Sequence, residues 1–215
     1  MTAETSPAPV SEPLVSGQLV LASASEVRRR LLAAAGIVFA IETAKVDEAA
    51  IKDRLQNEGA SVEDTALALA RAKAEAVSAG RAGALVIGAD QMLEQDGRWF
   101  DKPADRAAAR AHLAAFSGNR HRLLTATSVY RDGAELWHHQ APATLHVRAL
   151  SHAFIEDYLD RTGDAALASV GAYQLESLGI QLFERIDGDY FTILGLPLLP
   201  LLAFLRQSGH MADLT

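Results

Sequence analysis

Apolar residues follow two rhythms along this chain, and each rhythm predicts an element. Short unbroken apolar runs at residues 18–22 and 84–88 predict buried strands. After Ser25, residues Val27, Leu31, Leu32 and Ala35 recur at helical spacing, and Gly36 closes the helix. Alternation over 37–41 predicts a further strand, and Leu67, Leu69, Ala70, Ala74 and Val77 predict a helix over 62–78. Asp96-Gly97 and Asp132-Gly133 are hairpin turn signals. The second joins long strands over 122–130 and 136–147. A helix over 104–116 opens after Pro103, Ser151 caps a helix over 151–161, and a strand over 181–186 precedes a helix over 198–205. Helices alternate with strands while the hairpins add antiparallel pairs, so the pattern predicts an α/β protein with a mixed sheet.

Composition narrows the class. The chain has 215 residues, 49% hydrophobic and 22% charged, enough for one large domain or two close lobes. The expected folded unit is residues 18–207. A tail over 1–17, rich in Ser, Pro, Thr and Glu, is expected to be flexible, and a second tail covers 208–215. There is no cysteine, which excludes disulfides, thiolate metal sites and cysteine nucleophiles. The net charge of -7 argues against stable nucleic-acid binding, which depends on many basic side chains. The richest apolar stretch, 193–205, is interrupted by Gly195, Pro197 and Pro200, and the first residues lack the basic and apolar segments of a secretory signal. The expectation is a cytoplasmic protein with no membrane partner.

Three groups of residues offer chemistry. Ser23-Ala-Ser25-Glu-Val-Arg28 lies between a strand and a helix, where unpaired N–H groups, hydroxyls and a guanidinium can hold phosphate. A capped helix with solvated arginines accounts for the same pattern. Asp90 is expected just past the carboxyl end of a buried strand, where α/β sheets place ligand crevices. There it could activate water, hold a divalent cation or simply cap a backbone amide. Lys73 and Lys102 could each clamp a phosphate oxygen or point into solvent. No glycine-rich dinucleotide fingerprint or P-loop is present. His138-His139 falls in a strand, so the two rings point to opposite faces and make a poor metal pair. Neither Ser23 nor Ser25 has a recognisable base to make it a nucleophile.

These pieces occur in a specific order. Leu21-Ala-Ser-Ala-Ser-Glu-Val-Arg-Arg-Arg-Leu-Leu32 is followed by Val46-Asp-Glu48, Leu69-Ala-Arg-Ala-Lys-Ala74 and Ile87-Gly-Ala-Asp-Gln91. Asp101-Lys-Pro103, Phe116-Ser-Gly118, Gly171-Ala-Tyr173, Ile186-Asp-Gly-Asp-Tyr190 and Gly195-Leu-Pro197 complete the series. In this order the chain resembles the Maf family of nucleoside triphosphate pyrophosphatases, from about Leu19 to Leu205. The resemblance implies a mixed, twisted sheet with flanking helices and two lobes around a nucleotide cleft, as in inosine triphosphatase-like folds. It implies hydrolysis of a nucleoside triphosphate to the monophosphate and pyrophosphate, with Mg²⁺ or Mn²⁺ as cofactor, and it allows a homodimer. Asp90 matches the proton acceptor, and Ser23, Ser25, Arg28, Glu48, Lys73 and Lys102 match other active-site positions. Asp90 and Glu48 are the implied metal ligands.

Val27, Gln91 and Glu176 match positions that set base specificity. Gln91 and Glu176, with Leu182-Phe-Glu-Arg185, resemble the branch acting on 7-methyl-GTP, in which tryptophan stands at the place of Val27. The dTTP/UTP branch has arginine, threonine and glutamine at the three positions. A carboxylate at 176 also suits a 7-methylguanine ring, which is cationic. The expected activity is therefore cleavage of a modified nucleotide for nucleotide-pool housecleaning. A dTTP/UTP pyrophosphatase and a non-catalytic nucleotide-binding regulator of cell division are the alternatives.

Overall fold

A computed structural model describes residues 18–211. The expected tail over 1–17 and the last four residues of the expected 208–215 tail lie outside the described residues. The chain opens with β1 (Leu19–Leu21), α1 (Glu26–Ala34) and β2 (Ala40–Ile41). Two helices follow, α2 (Glu48–Asn57) and α3 (Val62–Ser78), before the hairpin of β3 (Leu85–Gln95) and β4 (Arg98–Phe100). Then come α4 (Arg106–Phe116), the long hairpin of β5 (Arg120–Arg131) and β6 (Ala134–Val147), and α5 (His152–Thr162). Short 3₁₀ turns between Gly163 and Leu182 lead to β7 (Phe183–Asp187), α6 (Tyr190–Ile193) and α7 (Leu198–Gln207).

One seven-stranded sheet runs in the order β2-β1-β3-β5-β6-β7, with β4 added beside β3. β1 pairs in parallel with both β2 and β3, and every other pairing is antiparallel. This is the mixed α/β architecture the sequence pattern predicts. Asp96 and Gly97 take positive φ of 51° and 81°, and Asp132 and Gly133 take 51° and 76°, the geometry of tight hairpin turns.

The core falls into several packed groups. Leu93, Phe116, Leu123, Leu145, Tyr158 and Phe183 lie in the largest, beneath α4, α5 and the 3₁₀ turns. At the other end of the sheet, Leu21, Leu32, Ile87, Val129 and Leu201 join β1, α1 and α7. Helix α3 covers the opposite face of the central strands, with Ala70 in one packed group with Met92 and Ala74 in another with Val86. At Gly88 a β-carbon would lie 2.2 Å from the Ala70 carbonyl oxygen and 2.7 Å from the Ala74 nitrogen. Only glycine lets α3 lie this close to β3.

Several features differ from the sequence expectation. Asp90 sits in the middle of β3, not beyond its end, because β3 continues to Gln95 through pairing with β5 and β4. The strand that ends there is β1, whose last pair is Leu21 with Ile87, so Asp90 emerges where the neighbouring strand stops. The strand expected over 37–41 is reduced to Ala40–Ile41. Helix α2 was not expected: its inward face is only half-buried, at Ile51, Lys52 and Leu55, which is too short an apolar pattern to predict a helix, and Asp47 starts it by accepting the Ala50 N–H. Residues 208–211 fold back on the domain, with Met211 against the core and His210 3.1 Å from Arg131.

Candidate active site

The end of β1 opens into a cleft of about 730 Å³. Its walls come from the β1–α1 turn, the first turns of α2, the inner face of α3, mid-β3, the Asp101-Lys102 loop, the 3₁₀ segment around Tyr173, and Leu194-Gly195. Ser23, Ser25, Val27, Arg28, Glu48, Lys73, Asp90, Gln91, Lys102 and Glu176, the residues singled out from the sequence, all border this one space.

The β1–α1 turn forms its floor. Ser25 is the N-cap of α1 and accepts the Arg28 N–H. Ser23 Oγ accepts the Ser25 N–H at 3.2 Å and Arg28 Nη1 at 3.1 Å. Both serine oxygens therefore act as acceptors inside the protein, and their O–H protons remain to donate to a ligand. Arg28 is buried and donates Nε to the Gly195 carbonyl at 2.7 Å. Burial pushes its pKa down from the ordinary guanidinium value, opposed by the Asp90 and Glu48 carboxylates. A helix N-terminus, two hydroxyls and a buried guanidinium make an anion cradle.

The strand alternation of β3 assigns its neighbours to different tasks. Asp90 is on the α3 side, and Lys73 Nζ reaches it at 2.6 Å. The same ammonium is 2.9 Å from Glu48 Oε2. Lys73 and Asp90 are both buried, whereas Glu48 reaches in from the exposed start of α2. Gln91, one residue on, is on the other side. Its Nε2 donates to Thr125 Oγ1 at 2.8 Å and to the Thr192 and Ile193 carbonyls, both at 3.1 Å. Two of those partners can only accept, so the amide orientation is fixed and Oε1 is the atom left for a ligand.

Val27 is half-buried on α1. One turn further, Arg30 Nη2 lies 3.3 Å from Glu176 Oε1, whose side chain is 20% exposed. Lys102 is exposed at the rim.

The sequence reading gave no site role to Lys52, Asp101 or Arg30, although Asp101 and Arg30 stand within its motifs. Lys52 is four residues after Glu48 on α2 and also borders the cleft, where it pairs with Asp101. The helical spacing from Glu48 was the available signal, but it was hidden until α2 was known to be a helix. Among the described residues, no group of three or more His, Asp or Glu is arranged to hold a metal, and no helix is long and apolar enough to cross a membrane.

Fold and site together define an α/β protein with a polar cleft, lined by hydroxyls, cations and carboxylates, where β1 ends beside β3. Its family is equally plain: the pattern of the family described as Maf-like protein matches residues 18–208, and the chain belongs to that family. A nucleoside triphosphate pyrophosphatase of Paramagnetospirillum magneticum is 52% identical over 89% of this chain and 99% of its own. A 7-methyl-GTP pyrophosphatase of Rhizobium johnstonii is 52% identical over 89% of this chain and 96% of its own. One of Brucella suis is 54% identical over 88% and 96%. Among solved structures, a nucleoside-triphosphatase (dITP/XTP pyrophosphatase) of Mycobacterium abscessus covers 90% of this chain and 95% of its own. Its identity is 16% and its TM-score 0.39, too distant to carry any argument.

Proposed function

We propose that residues 18–207 form one catalytic unit that hydrolyses a nucleoside triphosphate, in particular 7-methyl-GTP, to the monophosphate and pyrophosphate. The observation that carries this reading is Lys73, whose single ammonium is shared by Glu48 and Asp90 beside the serine and arginine cradle. Water attacks the α-phosphorus, the bond from that phosphorus to the bridging oxygen breaks, and pyrophosphate leaves. Asp90 receives the proton of the water. Lys73 fixes the Asp90 carboxylate and offsets negative charge in the transition state. Ser23, Ser25 and Arg28 hold phosphate oxygens, and Lys102 stabilises the leaving pyrophosphate.

The charge of the cleft supports a divalent cation. Its lining carries four cationic side chains and five carboxylates, and Lys73 and Lys52 are already paired with acids. Such a lining does not by itself neutralise a tetra-anionic triphosphate. Two carboxylates plus phosphate oxygens are a donor set that Mg²⁺ accepts. Glu48 and Asp90 fit that part for Mg²⁺ or Mn²⁺ arriving with the substrate. The ion would supply charge neutralisation at the phosphates.

The base preference is supported by Gln91 Oε1 and Glu176, acceptors suited to the donor edge of a guanine, and by the relatives named 7-methyl-GTP pyrophosphatase. Hydrolysis of a panel of 7-methyl-GTP, GTP, UTP, dTTP and CTP in H₂¹⁸O with Mg²⁺ tests the reading. The expected products are pyrophosphate and a monophosphate carrying the label. Diphosphate with orthophosphate would overturn the bond assignment, a preference for UTP or dTTP would overturn the base assignment, and binding without hydrolysis would leave a nucleotide-binding regulator.

A further inference from the structure

Lys52 and Asp101 form a pair that the reaction as described does not use. Glu48 and Lys52 are four residues apart on α2, so they lie on the same helix face one turn from each other, and both border the cleft. Lys52 Nζ lies 2.5 Å from Asp101 Oδ1, which belongs to the loop between β4 and α4, immediately before Lys102. The contact therefore joins two separate walls of the cleft. Its members are unequal: the Lys52 side chain is 24% exposed and that of Asp101 is 75% exposed. The lysine is held inside the cleft while its partner is largely in water. Among the described residues, Asp101 is the only acid within ion-pair distance of Lys52.

We propose that Lys52 is a further triphosphate-binding residue, and that Asp101 holds its place until a phosphate oxygen takes it. This rests on the pyrophosphatase reading for its substrate, although the binding it describes requires only a polyphosphate. A carboxylate and a phosphate oxygen are alike to an ammonium, both being anionic acceptors at hydrogen-bond distance. A water-exposed pair is held weakly, so a dianionic phosphate group displaces Asp101 readily. Lys52 then lies one turn beyond Glu48 and beside Lys102, and it engages the β- and γ-phosphates that leave as pyrophosphate. The exchange also frees the Asp101 loop from α2.

The test uses the full chain and inorganic pyrophosphate as probe, with binding measured by calorimetry and turnover measured separately. Lys52→Met keeps the aliphatic stem and removes the charge. It is expected to weaken pyrophosphate binding and raise KM for the triphosphate by about tenfold or more, the scale of one charge-assisted hydrogen bond, with kcat within about twofold. Lys52→Arg restores most of the loss. Asp101→Asn removes the competitor and tightens pyrophosphate binding a few-fold, an effect that vanishes in the Lys52→Met background. Unchanged pyrophosphate affinity in Lys52→Met, with only a lower melting temperature, would overturn the proposal and make the pair a structural tie. If the wild type hydrolyses no nucleotide, the pyrophosphatase reading fails. Weaker pyrophosphate binding by Lys52→Met would still uphold Lys52 as a polyphosphate ligand.

Discussion

Lys73 Nζ lies 2.6 Å from Asp90 Oδ1, joining α3 to β3 near the tight approach of Gly88 to Ala70 and Ala74. Both groups are buried, and a second carboxylate, Glu48, shares the ammonium at 2.9 Å. A carboxylate so held has one orientation. A buried charged pair leaves a costly orphan when one member is removed, so this pair is a poor device for stability alone. Its place in an open cleft points to chemistry.

Asp90→Asn therefore separates the two roles. The amide keeps the shape and can still accept from Lys73, and Glu48 remains to balance the lysine charge. The fold is expected to persist, as judged by circular dichroism, while turnover falls about 10²–10⁴-fold, the usual contribution of a general base. Near-normal turnover would remove Asp90 from the mechanism.

The spacing that sets this contact depends on Gly88. In Gly88→Ala the new methyl meets the α3 backbone at Ala70 and Ala74, and backbone cannot rotate away. Overpacking of this kind costs about 1–3 kcal/mol. Because α3 must shift, Lys73 moves off Asp90, and kcat should fall even at temperatures where the variant is fully folded. A variant that melts early but keeps normal kcat when folded would show that the spacing serves packing only.

Much of this was legible in the sequence, for reasons that can be traced residue by residue. Helix α3 follows from the period of Leu69, Ala70, Ala74 and Val77, and the two Asp-Gly turns follow from their need for positive φ. The strand alternation that sends Asp90 to α3 and Gln91 to Thr192 was not legible, because the strand seemed to end before them. Periodicity finds an element through its apolar buried face, and that of α2 is only the half-buried Ile51 and Leu55, so it and Lys52 escaped notice. Arg30 likewise reads as one of three consecutive arginines until the fold brings Glu176 to it across 146 positions.

A second buried group behind the cleft predicts a pH dependence of stability. His121 Nε2 is 2.6 Å from the Tyr173 hydroxyl, while Nδ1 has no partner among the described residues and Phe116 and Phe183 surround the ring. Burial pushes its pKa from 6.5 down to about 3. The unfolded chain then binds a proton that the folded chain refuses between these two values. Stability from this group is complete above pH 6.5 and is lost as pH falls toward 3, at a limiting slope of about 1.4 kcal/mol per pH unit. Denaturant unfolding of wild type and His121→Gln from pH 7.5 to 4.5 should show a shallower acid loss in the variant. Parallel curves would mean that another group governs the loss.

The proposed base-reading residues offer the sharpest functional test, because Glu176 is only partly free. Glu176 Oε1 faces Arg30 at 3.3 Å, while Oε2 has no partner among the described residues, and Val27 offers no aromatic surface for a base to stack on. On the proposed 7-methyl-GTP reading, selectivity for the cationic ring then rests on the carboxylate charge more than on stacking at position 27. Glu176→Gln removes that charge with little change of shape. It should lower kcat/KM for 7-methyl-GTP about tenfold or more while changing UTP hydrolysis little, since loss of a charged partner commonly costs more than loss of a neutral one. Arg30→Met acts in the opposite sense. It leaves the Glu176 charge uncompensated and should raise the ratio of 7-methyl-GTP to GTP hydrolysis, most clearly at low ionic strength, where a half-exposed pair is least screened. Steady-state rates on the three nucleotides at two salt concentrations decide the matter. Equal losses on 7-methyl-GTP and UTP in Glu176→Gln would show that this carboxylate does not read the base. An unchanged ratio in Arg30→Met would show that the arginine does not set its charge.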